Sequence, residues 1–261
     1  MKTRFLIFTQ AFAALTCCLL APSISTDAWT GPRMRKSSIS SCAPSAPSAF
    51  TWKGTTNNNW STATNWHGGV VPGPSDVAIF DNNCSTNCSP SSIADVGGID
   101  IKCSFTGTIN TGTSSVTVGA SGITQAGGTF SLGTASFITG LVNLSGGVFN
   151  AGSASWQVGQ GGWTQSGGTF NGGNVSMIIE LIDTAATAFT LTGGVFNSTT
   201  STFTIRNHHD TVSNLSCKLF NKASSASFVH NNGTVIFDGR DPWGGNDIFT
   251  IDVGSGNLDL Y

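Results

Sequence analysis

The sequence predicts an all-β protein built as a β-solenoid of stacked parallel coils, and three observations lead to this prediction. Charged residues make up 9% of the 261-residue chain, whereas folded domains usually carry about 25%. Aromatic residues still account for 10% and are spread along the chain, which is not the composition of a disordered protein. From about residue 116 the chain repeats itself in steps of 19 to 26 residues. A unit of this length buries its apolar face only when it stacks on copies of itself.

The amino terminus, residues 1–28, is predicted to be a secretory signal peptide. Lys2 and Arg4 precede an apolar run from Phe5 to Ala21, and small residues follow it. A transmembrane anchor is the less favoured alternative, because polar residues interrupt the run and it is short for a bilayer span. We therefore expect a secreted or cell-surface protein that has no membrane span once the signal is removed. Residues 29–50, rich in Ser and Pro, are expected to form a linker.

Five cysteines lie outside the signal peptide, namely Cys42, Cys84, Cys88, Cys103 and Cys217. Because an exported protein meets an oxidising environment, pairing is the default expectation. A disulfide between Cys88 and Cys103 is slightly favoured, and a Cys84–Cys88 disulfide is the alternative. A zinc site is the competing interpretation, but no histidine lies nearby and the spacing does not match a zinc finger. No metal or other cofactor is expected.

The repeating unit is anchored by the motif GGTF or GGVF. The anchor phenylalanines are Phe130, Phe149, Phe170 and Phe196. Two further columns of apolar residues keep step with them: Ile123, Val142, Trp163 and Phe189, and then Val116, Phe137, Trp156, Met177 and Phe203. Asn150, Asn171 and Asn197 follow three of the anchors and predict an asparagine ladder at a corner. Charges are scarce because like charges stacked from coil to coil would repel one another.

Ahead of the coils lies the segment TWKGTTNNNWSTATNWHGGVVPGPSDVAIFDNN. Its pattern residues are Trp52, Gly54, Asn59, Trp60, Ser61, Asn65, Trp66, Val71, Pro72 and Asp76. This segment resembles the opening of many large secreted or surface-located bacterial β-strand-repeat proteins, and IADVGGIDIKCSFTGTINTG, the GGxF units and SFVHNNGTVIFDG resemble the same proteins. The family carries over no catalytic residue, because its members are mostly known as repeats of unassigned role.

The resemblance implies a right-handed parallel β-helix of adhesin-like character. Residues 51–100 would form an N-terminal capping segment with the first strands, and residues 101–261 would form the coils. It also implies a fragment of a larger repeat protein, because GSGNLDLY ends like an interrupted repeat.

The tryptophans of the opening segment have two interpretations. Trp52, Trp60 and Trp66 could cover the first coil, whose strand edges and apolar surface need a cap. The alternative is an exposed platform on which sugars stack. Trp243, in the loop-like stretch FDGRDPWGG, is a further candidate for ligand binding, although a solvated turn is the favoured interpretation there.

Candidate catalytic residues are confined to Glu180, Asp183, Arg206 and His209. The 26-residue step that aligns Met177 with Phe203 places Glu180 beside Arg206 and Asp183 beside His209. Two charge pairs between neighbouring coils are the favoured interpretation. Catalysis is less favoured, because a glycosidase needs two suitably spaced carboxyl groups, one of them with a raised pKa.

These observations favour a structural β-helical module, secreted or on the cell surface and adhesive in role, over an enzyme. The alternative function is a polysaccharide-binding or polysaccharide-cleaving β-helix. Surface glycans and extracellular proteins are the expected partners. Nucleic acid is not, because the formal net charge is −2 and no Lys or Arg lies between Lys102 and Arg206.

Overall fold

The computed structural model describes residues 50–252, except residues 85, 88, 154, 183, 209–215 and 241–247. All of these described residues belong to one compact unit, Ser40–Tyr261, and the other unit, Met1–Ile39, lies outside them. The signal peptide and almost all of the linker thus fall outside the described residues and stay predictions. No helix in the described part is long and apolar enough to cross a membrane.

The described residues form seventeen strands and two short 3₁₀ turns, Ala63–Asn65 and His67–Gly69. The strands are β1 (Val77–Phe80), β2 (Val96–Ile101), β3 (Thr108–Asn110), β4 (Val116–Gln125), β5 (Thr129–Ser131), β6 (Phe137–Leu144), β7 (Val148–Asn150), β8 (Trp156–Gln165), β9 (Thr169–Asn171), β10 (Met177–Ile182), β11 (Phe189–Leu191), β12 (Val195–Asn197), β13 (Thr202–His208), β14 (Ser216–Lys222), β15 (Ser227–Val229), β16 (Thr234–Arg240) and β17 (Ile248–Asp252).

Every pairing between these strands is parallel, and the strands stack as a β-solenoid of about six turns. One sheet has eleven strands, and the other follows the order β15-β12-β9-β7-β5-β3. The predicted all-β solenoid is therefore confirmed. Neighbouring strands in one sheet belong to successive coils, so each rung lies about 4.8 Å from the next.

Each coil has three faces, because long strands such as β6 and β8 bend and contribute to two of them. The first face contains paired runs that begin at Val116, Phe137, Trp156, Met177 and Phe203. The second face contains paired runs that include the register partners Ile123, Val142, Trp163, Phe189 and Phe220. The third face is the six-stranded sheet, centred on Ile109, Phe130, Phe149, Phe170, Phe196 and Phe228.

In the core, aromatic rings of successive coils stack on one another. The residues of each predicted column lie one above the other in this stack. Phe149 and Phe170 are register partners whose ring centroids lie 5.7 Å apart. The rings of Phe170 and Phe196 follow at 4.5 Å in a stacked arrangement. Trp156 and Trp163 also point inward and are buried, as the repeat predicted. The core therefore runs without a break along the third face.

A ladder of side-chain amides runs along the third face outside the core. Asn171 Nδ2 donates to Asn150 Oδ1 at 2.8 Å, and Asn197 Nδ2 donates to Asn171 Oδ1 at 2.9 Å. Asn150 Nδ2 completes the row by donating to Ser131 Oγ at 3.2 Å. The predicted asparagine ladder is confirmed. Because Asn150 and Asn171 each both donate and accept, neighbouring coils are linked along this row without any charge.

The second glycine of the GGxF motif is required by its backbone conformation and by close approach of the preceding coil. Gly147 has φ +76°, in the left-handed region that favours glycine. A Cβ at this position would also collide with the backbone oxygens of Gly127 and Gly128. The motif therefore marks a corner where coils approach too closely for a side chain.

Candidate functional site

Trp52, Trp60 and Trp66 form, with Phe80, a buried group that we call the tryptophan cluster. The Trp66 ring packs edge-on against Trp52 at 5.0 Å and against Trp60 at 4.7 Å. Trp66 Nε1 donates to the Trp60 carbonyl at 2.8 Å, and Trp52 Nε1 donates to the Asn87 carbonyl at 2.9 Å. All three indoles are completely buried. No ring face is available for stacking on a sugar, so the interpretation as an exposed platform is not supported.

The loop that carries Trp60 is closed by the buried side chain of Asn65. Asn65 Oδ1 accepts hydrogen bonds from the backbone N–H groups of Thr56 and Asn57, at 2.9 and 3.2 Å. Asn65 Nδ2 donates to Asn57 Oδ1 at 2.8 Å and to the Asn59 carbonyl at 3.0 Å. Both the oxygen and the nitrogen of this buried amide are hydrogen-bonded, which explains why Asn stands at this position of the opening motif.

A second group, the charged cluster, lies on the outer side of the first face. It consists of Glu180 on β10, Arg206 and His208 on β13, and Asp238 on β16. Arg206 is the register partner of both Glu180 and Asp238. Its Nη1 lies 3.0 Å from Glu180 Oε1, and its Nε lies 2.8 Å from Asp238 Oδ2. The predicted pairing of Glu180 with Arg206 is confirmed.

The structure corrects the position of Asp238 and adds His208 to the cluster. Asp238 belongs to the loop-like stretch FDGRDPWGG by composition, but it lies within β16, directly beside Arg206. His208 follows Arg206 by two positions and therefore faces the same side of the sheet, where its Nε2 lies 3.4 Å from Glu180 Oε1. The 32-residue step between Arg206 and Asp238 is the signal that could have found the second carboxylate.

Three other candidate residues, Asp183, His209 and Trp243, lie outside the described residues. The expected pairing of Asp183 with His209 and the expected binding role of Trp243 therefore stay predictions. Of the four candidate catalytic residues, Glu180 and Arg206 lie in the described part.

The charged cluster is held together by a network that occupies its carboxylates. The hydrogen bond to Glu180 is the main reason that the pKa of Arg206 lies above its ordinary value; desolvation opposes this shift, and the bond to Asp238 adds to it. Gln157 Nε2 donates to the other Glu180 oxygen, Oε2, at 2.8 Å. Both oxygens of Glu180 are therefore engaged by donors of the protein itself, and neither is presented to a substrate.

Cysteine and metal-binding chemistry is limited in the described part. Cys84 and Cys103 are each disulfide-bonded, whereas Cys88 lies outside the described residues. The predicted Cys88–Cys103 disulfide and its Cys84–Cys88 alternative therefore stay predictions. Among the described side chains, no three His, Cys, Asp or Glu come together as a metal site.

Two surface depressions lie on the outside of the described coils. An open groove of about 380 Å³, which we call the outer groove, crosses β6, β8, β10 and β13 on the first face. Its side walls are two rows of outward residues, Ser136, Ser155, Ser176 and Thr202, and then Ile138, Gln157, Ile178 and Thr204. A polar recess of about 490 Å³ lies at the asparagine ladder, lined by Asn171, Gly172, Gly173, Asn174, Asn197, Thr200 and Asn231.

Comparison of the chain with protein-family models, with curated proteins and with solved structures finds no match. The resemblance to bacterial β-strand-repeat proteins therefore stays a prediction from motifs. The solenoid itself depends on no relative, because parallel strand pairing and register define it directly.

We expect Arg206→Gln to lower the free energy of unfolding by about 1–2 kcal/mol, because two partly buried carboxylates lose their shared cation. Because the pKa of Arg206 is raised in the folded state, its pairing stabilises the fold at every pH below the ordinary arginine value. This stabilisation is lost only as pH rises through the folded-state value. The loss measured by urea unfolding should thus be the same at about pH 7 and about pH 9.

The matched control for this variant is Lys218→Gln, which also removes one positive charge. Lys218 pairs with Asp252 at 2.7 Å, but its side chain is 44% exposed. We expect its replacement to change the free energy of unfolding by less than about 0.5 kcal/mol. Equal effects of the two substitutions would contradict a specific role for the charged cluster.

Proposed function

We propose that this chain is a structural β-helical module of a secreted or cell-surface protein, and that it holds a binding face in a fixed geometry. The observation that carries the proposal is the unbroken ring stack from Phe130 through Phe149, Phe170 and Phe196 to Phe228. Because each coil contacts only its neighbours, such a stack forms a quasi-one-dimensional body that presents long outer surfaces. The signal-peptide pattern of residues 1–28 supports export.

The tryptophan cluster supports the proposal that the segment before β1 caps the solenoid. The backbone of Trp52 donates to the Ile79 carbonyl at 2.9 Å, and Ile79 N–H donates to the Phe50 carbonyl at 3.0 Å. The segment thereby pairs with the outer edge of β1, while its indoles cover Phe80. A covered edge cannot pair with another chain, which is the usual purpose of a cap.

The alternative function, a polysaccharide-binding or polysaccharide-cleaving β-helix, divides into two parts. Cleavage is less well supported, because glycoside hydrolysis needs a carboxyl group that reaches the glycosidic bond, and the protein itself occupies Glu180 and Asp238. Binding without cleavage is compatible with the structural module. Release of reducing ends or unsaturated sugars that Glu180→Ala abolishes would overturn the structural assignment in favour of an enzyme.

Export is tested with the full chain produced in a bacterial host. The intact chain should reach the outside of the cytoplasm, and deletion of residues 2–28 should retain it inside. Fractionation, with protease added to intact cells, measures the distribution. Retention of the intact chain in the cytoplasm would contradict the proposal, and the deletion variant controls for leakage.

A further inference from the structure

We propose that the outer groove binds an uncharged glycan chain lying along the solenoid axis. The inference deepens the proposed function and rests on it. It depends on the repetition, chemistry and charge of the groove residues.

The groove repeats the same positions on four successive coils. Phe137, Trp156, Met177 and Phe203 are register partners on the first face and point inward. The residues that flank them on each strand therefore point outward and fall into two rows, with about 4.8 Å between rungs. A ligand running along the axis meets the same pair of rows at each coil, so the groove fits a polymer of repeating units better than a compact molecule.

The two rows differ in chemistry in a way that suits a sugar ring. One row carries only hydroxyl groups, and those of Ser136 and Ser155 make no hydrogen bond within the described part of the protein. The other row alternates apolar and polar side chains, and Ile138 in it is 47% exposed. Sugars present apolar C–H faces and hydroxyl edges. The isoleucines can contact the C–H faces, and the serine hydroxyls can exchange hydrogen bonds with the sugar hydroxyls.

The charge distribution favours a neutral glycan over an acidic one. No Lys, Arg, Asp or Glu lines the groove. The adjacent charges belong to the charged cluster, where Arg206 already bridges Glu180 and Asp238. An acidic polysaccharide would therefore find no unpaired cation among the groove residues.

An extended peptide is a poorer fit, because peptides usually bind sheets by adding a strand at an edge. The groove floor is formed by β6, β8 and β10, whose first-face runs are already paired on both sides. Its backbone donors and acceptors are used within the sheet and cannot pair with a peptide. Side-chain contacts remain, and these suit hydroxyl groups.

The other two faces provide a contrast within the same coils. One outward row of the second face, Thr124, Asn143, Thr164 and Thr190, contains no apolar side chain. On the third face, the amides of Asn150, Asn171 and Asn197 are engaged with one another. The Thr124 row of the second face therefore offers polar side chains with no apolar member, and it serves as a control for the outer groove.

The test is calorimetric titration of the full mature chain with cellohexaose and mannohexaose as neutral probes and hexagalacturonate as an acidic one. Ser155→Ile fills the middle of the groove and removes a hydroxyl, and we expect it to weaken binding of the neutral probe by about tenfold or more. Thr164→Ile makes the same kind of change on the second face of the same coil, and binding should stay within about twofold of wild type.

Ile138→Thr is a second groove variant, which tests binding even if Ser155→Ile fails to fold. Threonine already occupies this row at Thr117 and Thr204, so the change fits the sheet, and it should weaken neutral binding several-fold. Four results would overturn the proposal: no binding of either neutral probe at several millimolar, tighter binding of the acidic probe, tighter binding of an uncharged Ser- and Thr-rich peptide, or equal losses in Ser155→Ile and Thr164→Ile. None of these bears on export, so the two proposals fail separately.

Discussion

Phe170→Ala is expected to lower the free energy of unfolding by about 3–5 kcal/mol, as other buried phenylalanine truncations do. The Phe170 ring is fully buried and sits at the centre of the core. Its centroid lies 4.5 Å from Phe196, 4.9 Å from Trp163, 5.7 Å from Phe149 and 5.8 Å from Trp156. Truncation removes one rung, and the strands on either side cannot collapse into the space without breaking register.

Urea unfolding followed by fluorescence and circular dichroism measures this loss. Thr169→Ala is the matched control, because Thr169 lies on the same strand and points outward. We expect it to change the free energy of unfolding by no more than about 0.5 kcal/mol. Wild-type stability of the phenylalanine variant would contradict the view that stacked rings hold the coils together.

The register of the coils could be predicted from the sequence because the other column residues stand at fixed distances along the chain from each anchor phenylalanine. Met177 pairs with Phe203 across a 26-residue step and Phe149 pairs with Phe170 across a 21-residue step, both as the columns required. Unequal steps do not disturb the rows, because the extra residues lie between strands. In the longer coil they separate β10 from β11, two strands that are continuous as β8 in the preceding coil.

The partners of buried polar groups could not be predicted in the same way. Gln125 and Gln165 are both register partners of Leu144, and both are completely buried. Their Nε2 atoms donate to the carbonyls of Val148 and Val195, each at 3.0 Å. These carbonyls belong to the third face of the following coil, so the hydrogen bond depends on how two coils sit together and leaves no local trace in the sequence.

The charged cluster was only half predicted for a related reason. Glu180 and Arg206 stand in strands with clear columns, so their pairing followed from the step between coils. Asp238 is followed by Gly239 and, three residues later, by Pro242, and this local composition is typical of a turn. The alignment between coils, in which Val235 is the partner of Phe203, places Asp238 in a strand and beside Arg206.

Trp66→Ala is expected to be as damaging as the loss of a core rung, at about 3–5 kcal/mol, but with an additional consequence. Trp66 contacts Trp52, Trp60 and Phe80, and it supplies the hydrogen bond to the Trp60 carbonyl. Its removal loosens the segment that pairs with the outer edge of β1. An uncovered parallel edge is a template for pairing with another chain, so the variant should also self-associate as its concentration rises.

Analytical ultracentrifugation separates this capping role from simple core packing. Phe170→Ala leaves the edge of β1 covered, so it should lose a similar free energy of unfolding without self-association. Trp66→Phe keeps an aromatic ring and loses the N–H donor, and we expect a smaller loss of about 1–2 kcal/mol with no change in mass. If Trp66→Ala stayed monomeric while Phe170→Ala associated, the tryptophan cluster would be an ordinary part of the core and the edge of β1 would need another protector.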